Sequence, residues 1–345
     1  MPNFEKVKYI LHENDYISAM LTGSIATSPN TAGKSHINVK TRDYYQEIYY
    51  EVGLDPGIMP PVKPIGAVIG EITNKASKET GLPAGIPVIN SVTDSTAGDI
   101  STGTLLNGQV NVNIGTTLVV HAVVNNLNPD PKGRIYYKNY LNNLYLAGGA
   151  TNAGTIPMDA IKKISGLDHE QLDNMAKNVP AGSEGLMVQP QWIGMRIPES
   201  IPDLKGFITG ITSKNFSFAH LYRATLEGNA LVLCEVLDVI EKVTKTKIKE
   251  IRTCGGGAKS KVLNQVIADS TGRKVSYMGL SEPSIGSAII AAWGYNGGKI
   301  ENIAQKFLSE GETFIPMKEN KKLYSERRKV LAKLTKTITQ VLRGG

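Results

Sequence analysis

The fold is most clearly indicated by residues 88–120, VINSVTDSTAGDISTGTLLNGQVNVNIGTTLVV. An apolar strand pattern at Val88 and Ile89 leads into a polar turn at Asp94, and a run of small residues then opens a helix. Further along, apolar and polar residues alternate on both sides of a turn at Gly115, which predicts a β-hairpin. Strands and helices that follow one another in this way are typical of α/β proteins.

The two turns in this segment also suggest a chemistry. A carboxylate at a strand-to-helix turn, here Asp94, can accept a proton from a substrate hydroxyl. A hairpin tip with the sequence Gly115-Thr116-Thr117 can offer backbone N–H and hydroxyl donors to a phosphate. Together the turns favour phosphoryl transfer to an alcohol.

A third turn, Gly255-Gly256-Gly257, follows a predicted strand at residues 250–253 and precedes a predicted helix at residues 260–270. Residues without a Cβ at such a position let a ligand approach the backbone and meet the N–H groups of the helix start. Glycine turns of this kind are also common for steric reasons alone. The triple glycine therefore supports a ligand site mainly because it accompanies the other two turns.

Length and composition limit the protein classes to which these turns can belong. The chain has 345 residues, which is long for one core and predicts two domains. Hydrophobic residues make up 41% and charged residues 20%, as in globular proteins. The sequence has no apolar run of membrane-spanning length and begins without a signal-like stretch, so we expect a cytoplasmic protein without a membrane partner. Two cysteines and five scattered histidines predict neither a disulfide framework nor a metal site.

The net charge of +7 raises the question of nucleic-acid binding. Nine Lys or Arg and two Glu lie between Lys318 and Arg343, and this segment accounts for the entire excess. Apolar residues recur at helical spacing within it, at Leu323, Leu331, Leu334, Ile338 and Val341. We interpret the segment as a terminal helix that docks by one face and keeps its cations in water. No nucleic-acid partner is expected.

Other elements can be predicted from local patterns. A second hairpin pairs residues 134–140 with residues 144–146, and residues 274–277 form a further strand. A long helix covers residues 217–242 with Gly228 inside it. Because glycine in a helix costs about 1 kcal/mol relative to alanine, we expect Gly228 to allow close packing against another backbone.

Residues 28–35, SPNTAGKS, end like a Walker phosphate loop. Ser28 replaces the first glycine of that motif, and Pro29 stiffens a segment that would have to wrap a phosphate. The preceding residues, which end at Gly23, are typical of a helix closed by a glycine and not of a buried strand. We interpret the segment as a solvated loop.

Beyond these patterns, the chain resembles the FGGY carbohydrate kinases along nearly its whole length. Residues 206–211, GFITGI, together with His220-Leu221 and the run from Ala224 to Glu227, fit the C-terminal signature of that family. Smaller matches lie at residues 21–23 (LTG), 194–198 (GMRIP) and 281–288 (SEPSIGSA). Within the family, residues 93–95 and 148–154 are most similar to the branch that acts on D-xylulose or D-ribulose.

The resemblance implies an actin-like ATPase fold, related to ribonuclease H, with two α/β domains. It implies a kinase that uses ATP and Mg²⁺ to phosphorylate a terminal hydroxyl of a sugar. Asp94 matches the general base of the family, and Thr93 lies beside it as a substrate-binding residue. The positions assigned to nucleotide binding are Gly115, Thr116, Thr117, Gly154, Gly256, Gly257 and Lys261. Lys261 stands where the family usually has an Asn that contacts the base.

Several of these residues also have a plain structural interpretation. Asp94 could serve as the N-cap of the following helix by accepting the N–H of Ala97. Beside the hairpin and the triple glycine, the catalytic interpretation is favoured. His220 and Glu227 belong to the family signature, but we interpret both as structural residues.

The sequence departs from the family at its start. Kinases of this family begin with a hairpin of the type D-x-G-T-x-S, which supplies a phosphate loop and an acidic residue near Mg²⁺, and no such motif occurs in the sequence. We therefore expect residues 1–105 to be the later part of the sugar-binding domain, which is incomplete, and residues 106–345 to be the nucleotide-binding domain.

Three alternatives remain open at this point. The chain could be a non-catalytic remnant that binds a nucleotide or a sugar, a kinase for glycerol, gluconate or another polyol, or a P-loop NTPase. The family resemblance alone suggests a homodimer.

Overall fold

The computed structural model describes residues 6–279, 282–309 and 311–344. Its α-helices are α1 Glu13–Thr22, α2 Pro29–Ala32, α3 Gln46–Glu51, α4 Asn74–Thr80, α5 Asp94–Ser101, α6 Ile156–Ser165, α7 His169–Lys177, α8 Phe218–Thr244, α9 Lys261–Thr271, α10 Pro283–Asn296, α11 Ile300–Ala304 and α12 Lys318–Gly344. Its strands are β1 Val68–Glu71, β2 Pro87–Ile89, β3 Gln109–Ile114, β4 Leu118–Val124, β5 Tyr136–Asn139, β6 Tyr145–Thr151, β7 Met187–Val188, β8 Ile208–Thr209, β9 Glu250–Cys254, β10 Lys274–Tyr277 and β11 Glu312–Phe314. None of the helices in the described part of the chain is both long enough and apolar enough to cross a bilayer.

The chain divides into two compact units. The first comprises Met1–Leu105, Tyr137–Leu146 and Glu282–Ser309, and the second comprises Leu106–Tyr136, Ala147–Ser281 and Glu310–Gly345. The assignment of residues 1–105 and 106–345 to a sugar-binding and a nucleotide-binding domain stays a prediction. Residues 1–5, 280, 281, 310 and 345 of those ranges, including the start of the family segment 281–288, lie outside the described residues.

The first unit combines a small antiparallel sheet, β1 with β2, and a close helix pair, α5 with α10. The two helices approach at Gly286, where a Cβ would lie 1.9 Å from the carbonyl oxygen of Ala97. Only a glycine can occupy that crossing, because real Cβ contacts are not this short. The approach fixes α5, the helix that begins with Asp94.

The second unit is built on most of a seven-stranded sheet with the order β11-β10-β9-β3-β4-β6-β5. Strands β10, β9 and β3 run parallel, and β11 and β4 are antiparallel to their neighbours β10 and β3. The predicted hairpin around Gly115 is confirmed, with Ile114 paired to Leu118 across the tip. Val110, Val112 and Ile114 are fully buried, and Asn111 between them is buried as well, so burial on β3 does not follow the alternation of the sequence.

The predicted long helix is confirmed as α8, and its N-cap is Ser217, whose side chain accepts the N–H of His220. Most of its residues are buried, so this helix forms the centre of the core beside the sheet. The expectation for Gly228 is also confirmed. A Cβ at this residue would lie 2.3 Å from the carbonyl oxygen of Val188, so the glycine allows the chain at β7 to pack directly on the helix.

The basic C-terminal helix is present as α12, but its docking face differs from the prediction. Val341 is 68% exposed, and the most buried positions are Tyr324, Leu331, Thr335 and Thr339. The two threonine hydroxyls donate to the carbonyls of Leu331 and Thr335, one turn earlier. Because those hydrogen bonds satisfy the hydroxyls, threonine can occupy a buried face that an apolar pattern would not reveal.

Glu227 of α8 is 1% exposed and links that helix to α12. Its Oε1 accepts hydrogen bonds from Arg223 Nε at 2.9 Å, Tyr324 Oη at 3.1 Å and the backbone N–H of Gly182 at 2.8 Å. A second guanidinium, that of Arg327, lies 3.4 Å from Oε2. The prediction that Glu227 has a structural role agrees with this network.

Replacing Glu227 with alanine should destabilise the protein strongly. The substitution leaves the guanidinium groups of Arg223 and Arg327, each 11% exposed, without their buried carboxylate. The loss of one partner from a buried ion pair costs about 3–5 kcal/mol. Urea unfolding followed by circular dichroism should show a lower free energy of unfolding by roughly that amount. The matched control is Glu326→Ala, an exposed position on α12, which should change stability by less than about 0.5 kcal/mol. Equal stability of the two variants would contradict the role of the network.

Candidate active site

Asp94 is the first residue of α5 and its side chain is exposed. The N-cap of the helix is Thr93, whose carbonyl accepts the N–H of Ala97 at 2.9 Å. Oδ1 of Asp94 accepts the N–H of the next residue, Ser95, at 2.7 Å. The alternative in which Asp94 caps the helix through Ala97 is therefore wrong, because the backbone of Thr93 already satisfies that donor.

A buried asparagine, Asn30, holds the turn that carries Asp94. Asn30 is 3% exposed, and its Oδ1 accepts both the N–H of Thr93 at 3.0 Å and the Thr93 hydroxyl at 3.1 Å. Its Nδ2 donates to Thr96 Oγ1 at 3.1 Å and to the carbonyl of Asn139 at 2.8 Å. One side-chain amide thus joins three segments of the first unit. The Thr93 hydroxyl is directed toward this network, and its contact with a substrate stays a prediction.

The segment 28–35 is not the solvated loop that we expected. Ser28 is fully buried and starts α2, with its Oγ accepting the N–H of Thr31. Pro29 stands at the first position of the helix, where its lack of an N–H costs nothing. Residues 28–32 are buried, whereas Gly33 and Lys34 are exposed. The burial follows from the contact of Asn30 with the Asp94 turn, which lies too far away in sequence for a local pattern to reveal it.

Lys138 is a cation beside the same turn, and sequence reasoning missed it. Its Nζ donates to Ser95 Oγ at 3.0 Å. Burial lowers the pKa of Lys138, while the carboxylates of Asp99 and Asp94 act in the opposite direction. The first unit therefore places a positive charge within electrostatic range of the candidate base.

In the second unit, the tip of the β3–β4 hairpin is held by its own backbone. The N–H of Gly115 donates to the carbonyl of Thr117 at 3.0 Å, and the carbonyl of Gly115 accepts the N–H of Thr155 at 2.9 Å. The Gly115 amide is thus used inside the turn. Thr116, the next residue, is exposed, and its contact with a ligand stays a prediction.

Two glycines allow neighbouring segments to close on this tip. A Cβ at Gly154 would lie 2.2 Å from the carbonyl oxygen of Thr116, and a Cβ at Gly257 would lie 2.6 Å from Ile114 Cγ2. Within the triple glycine, Gly255 has φ of 91°, a conformation that side chains rarely adopt. The glycines at these positions therefore have a steric reason for their identity, whether or not they touch a ligand.

A cavity with a volume of about 770 Å³ opens where these segments meet in the second unit. Five residues predicted to bind nucleotide line it, namely Gly115, Thr116, Gly256, Gly257 and Lys261. The other two, Thr117 and Gly154, belong to the hydrogen-bonded turn and to the segment packed on it. The volume falls in the range of small-molecule sites. The structure brings the second-unit candidates together around one cavity, while Asp94 and Thr93 belong to the first unit.

Asp173 orders the loop that begins α9, a role that no local pattern around this residue predicts. Its side chain accepts a hydrogen bond from Ser260 Oγ, and the backbone N–H groups of Val262 and Lys261 also stabilise its carboxylate. Burial nevertheless raises the pKa of Asp173. The side chain of Lys261 forms an exposed ion pair with Glu312 at 2.9 Å, so it has a protein partner at the rim of the cavity.

Within residues 6–279, 282–309 and 311–344, no three His, Cys, Asp or Glu side chains form a group that could hold a metal ion. The acidic side chains that line the cavity are Asp159, Asp168, Glu170 and Asp173.

Comparison with known protein families gives two matches. The model of the FGGY family of carbohydrate kinases, C-terminal domain, matches residues 110–295, and that of the N-terminal domain matches residues 2–101. The first match includes the hairpin tip and the triple glycine, and the second includes Asp94.

Individual relatives are similar over most of the chain. A xylulose kinase from Haemophilus influenzae is 28% identical over 338 residues, which cover 93% of this chain and 64% of that protein. A gluconokinase from Bacillus licheniformis is 26% identical, covering 71% of this chain and 50% of its own. The crystal structure of xylulose kinase from Rhodospirillum rubrum superposes with a TM-score of 0.89 at 25% identity, covering 99% of this chain and 70% of that structure. The chain spans less than two thirds of the length of the Haemophilus protein.

Replacing Asn30 with alanine should destabilise the first unit. The N–H of Thr93 and the Thr96 hydroxyl would lose a buried partner, and an unsatisfied buried polar group costs about 1–3 kcal/mol. Thermal unfolding should show the loss, and the exposed Asn302→Ala on α11 is the matched control in the same unit. A variant with the stability of the control would show that the Asn30 network contributes little.

The two glycines Gly154 and Gly256, in the segments near the hairpin tip, should differ in their tolerance of an added methyl group. Gly154→Ala forces the Cβ against the carbonyl of Thr116 and should cost about 1–3 kcal/mol, as overpacking does. Gly256→Ala is the control, because its φ of −61° suits alanine and its Cβ would meet nothing within 4 Å. Calorimetric unfolding of both variants measures the difference. Similar melting temperatures would contradict the steric role of Gly154.

Proposed function

Because the chain belongs to the FGGY family of carbohydrate kinases, we propose that it transfers the γ-phosphoryl group of ATP to a terminal hydroxyl of a sugar. The preferred substrate is a ketopentose such as D-xylulose or D-ribulose. Similarity to xylulose kinases over 93% of the chain supports this choice. The observation that carries the proposal is the gathering of the glycine turns around one cavity in a chain that also exposes Asp94 at a helix start.

Asp94 acts as the general base. Phosphoryl transfer requires the sugar hydroxyl to be positioned and to lose its proton as the new P–O bond forms. With Oδ1 of Asp94 held by the N–H of Ser95, the exposed carboxylate has a fixed orientation in which to accept that proton. Lys138, whose Nζ donates to the neighbouring Ser95 Oγ at 3.0 Å, places a positive charge beside the base.

The second unit binds ATP through the hairpin tip and the triple glycine. The exposed Thr116 supplies donors to the phosphates, and Gly256 leaves open space in which a phosphate can approach the backbone. Mg²⁺ is expected to arrive with the ATP phosphates, since kinases of this chemistry use it to neutralise their charge. No step is assigned to metal ligands of the chain.

A kinase for gluconate or another polyol is the second candidate, supported by the similarity to gluconokinase over 71% of the chain. Such a kinase would use the same base and the same phosphate-binding turns. The two candidates differ only in the sugar contacts, and differences of one small group in such a pocket are worth about 1–3 kcal/mol.

The test is ADP release from Mg-ATP with a panel of D-xylulose, D-ribulose, D-gluconate and glycerol. We expect stimulation by a ketopentose, with the other substrates weaker. Asp94→Asn should lower the sugar-dependent rate by about 10²–10⁴-fold, the usual contribution of general-base catalysis. It should leave the affinity for ATP unchanged, because the proposed nucleotide contacts are those of the second-unit cavity and do not include Asp94.

Lys34→Ala is the control variant for this assay. A P-loop NTPase would lose ATP binding on this change, whereas the proposed kinase would be indifferent to it. The absence of stimulation by every substrate of the panel would contradict the kinase proposal. Stimulation by gluconate alone would favour the second candidate.

A further inference from the structure

Asp159 is a carboxylate of the second-unit cavity that the proposed phosphate-binding turns do not use. It lies in the first turn of α6, and its side chain is 54% exposed. Its Oδ2 accepts the Thr155 hydroxyl at 2.8 Å, and its Oδ1 lies 3.0 Å from His169 Nε2. Two partners therefore fix a carboxylate that still faces the cavity.

His169 is itself oriented by a second partner, on the ring nitrogen that does not face Asp159. Its Nδ1 lies 3.2 Å from the hydroxyl of Tyr222. Because an ionised carboxylate only accepts, the contact with Asp159 places the proton of a neutral imidazole on Nε2, and Nδ1 then accepts the Tyr222 hydroxyl. An ionised carboxylate has about four lone-pair positions, and Thr155 and His169 occupy two of them. Asp159 can thus accept two further hydrogen bonds from a ligand.

The position of Asp159 relative to the hairpin tip limits the part of a nucleotide that it can contact. The N–H of Thr155 binds the carbonyl of Gly115, and the N–H of Asp159 binds the carbonyl of Thr155. Asp159 is therefore one helical turn, roughly 5–6 Å along the helix, from the phosphate-binding tip. In a nucleotide, the sugar directly follows the phosphates.

The negative charge of a carboxylate further limits the part of the nucleotide that Asp159 can bind. A carboxylate repels phosphate oxygens and attracts hydrogen-bond donors, and the ribose supplies two adjacent hydroxyl donors. Two other acids of the cavity are less suited to that role, because the protein itself already uses their carboxylates. Asp168 accepts the N–H of Gln171 in a capping box, and Asp173 binds Ser260.

We propose that Asp159, held by Thr155 and His169, binds the ribose hydroxyls of the nucleotide and so makes the site selective for ribonucleotides. The inference rests on the proposed nucleotide function of the second unit. It assigns Asp159 as a specificity residue and His169 as the residue that positions it.

The test compares the affinities of the full chain for ATP and for the analogues 2′-deoxy-ATP and 3′-deoxy-ATP, by isothermal titration calorimetry with Mg²⁺ present. The unmodified protein should bind at least one analogue roughly tenfold more weakly than ATP, as expected for loss of a hydrogen bond to a charged group. In Asp159→Ala, ATP and the two analogues should bind with equal affinity.

Glu170→Gln is the matched control, since it removes one negative charge from the same cavity at an exposed position. It should keep the preference for ATP over the analogues. Equal binding of ATP and both analogues by the unmodified protein, or a preference that persists in Asp159→Ala, would overturn the ribose assignment and leave the kinase proposal intact. Failure to bind ATP at all would overturn both.

Discussion

Backbone-to-backbone packing at the β3–β4 hairpin tip is the constraint on which the second unit depends. The Cβ positions of Gly154 and Gly257 would fall 2.2 Å from the Thr116 carbonyl oxygen and 2.6 Å from Ile114 Cγ2. Any side chain at either glycine would push a segment away from the tip and open the cavity that both segments help to form. The glycines that look like ligand contacts in the sequence are therefore first a condition for the site to exist.

In the first unit, the segments around the candidate base are held together by a polar side chain. Asn30 brings the Asp94 turn, α2 and β5 together through four hydrogen bonds. A buried amide is costly unless both its donors and its acceptor are used, and here all are used. The hydrogen bonds of Asn30 also fix the start of α5. The close packing of α10 at Gly286 fixes another side of the same helix. The candidate base is thus held from two directions that are remote in sequence.

Local patterns predicted the elements that have a local cause. Alternation predicted the hairpin around Gly115, and helical spacing predicted α8, because both signals lie within a few residues of their effect. The role of Asn30 could not be predicted, since its partners lie 63 and 109 residues away. The role of Asp173 could not be predicted either, because its partner Ser260 lies 87 residues away. The burial of the two threonines of the C-terminal helix could not be predicted. In the sequence, a threonine whose hydroxyl is bonded within its own helix cannot be distinguished from one that is exposed to solvent.

The hydrogen bonds inside the hairpin tip have a consequence for the thermodynamics of ligand binding. The Gly115 amide and carbonyl and the neighbouring Gly154 carbonyl, which accepts from Asn229, are all bonded within the protein. A loop that is ordered in this way before the ligand arrives has little conformational entropy left to lose. For the phosphate group proposed to bind there, the affinity would then reflect the contacts that it makes, and not the cost of ordering the loop around it.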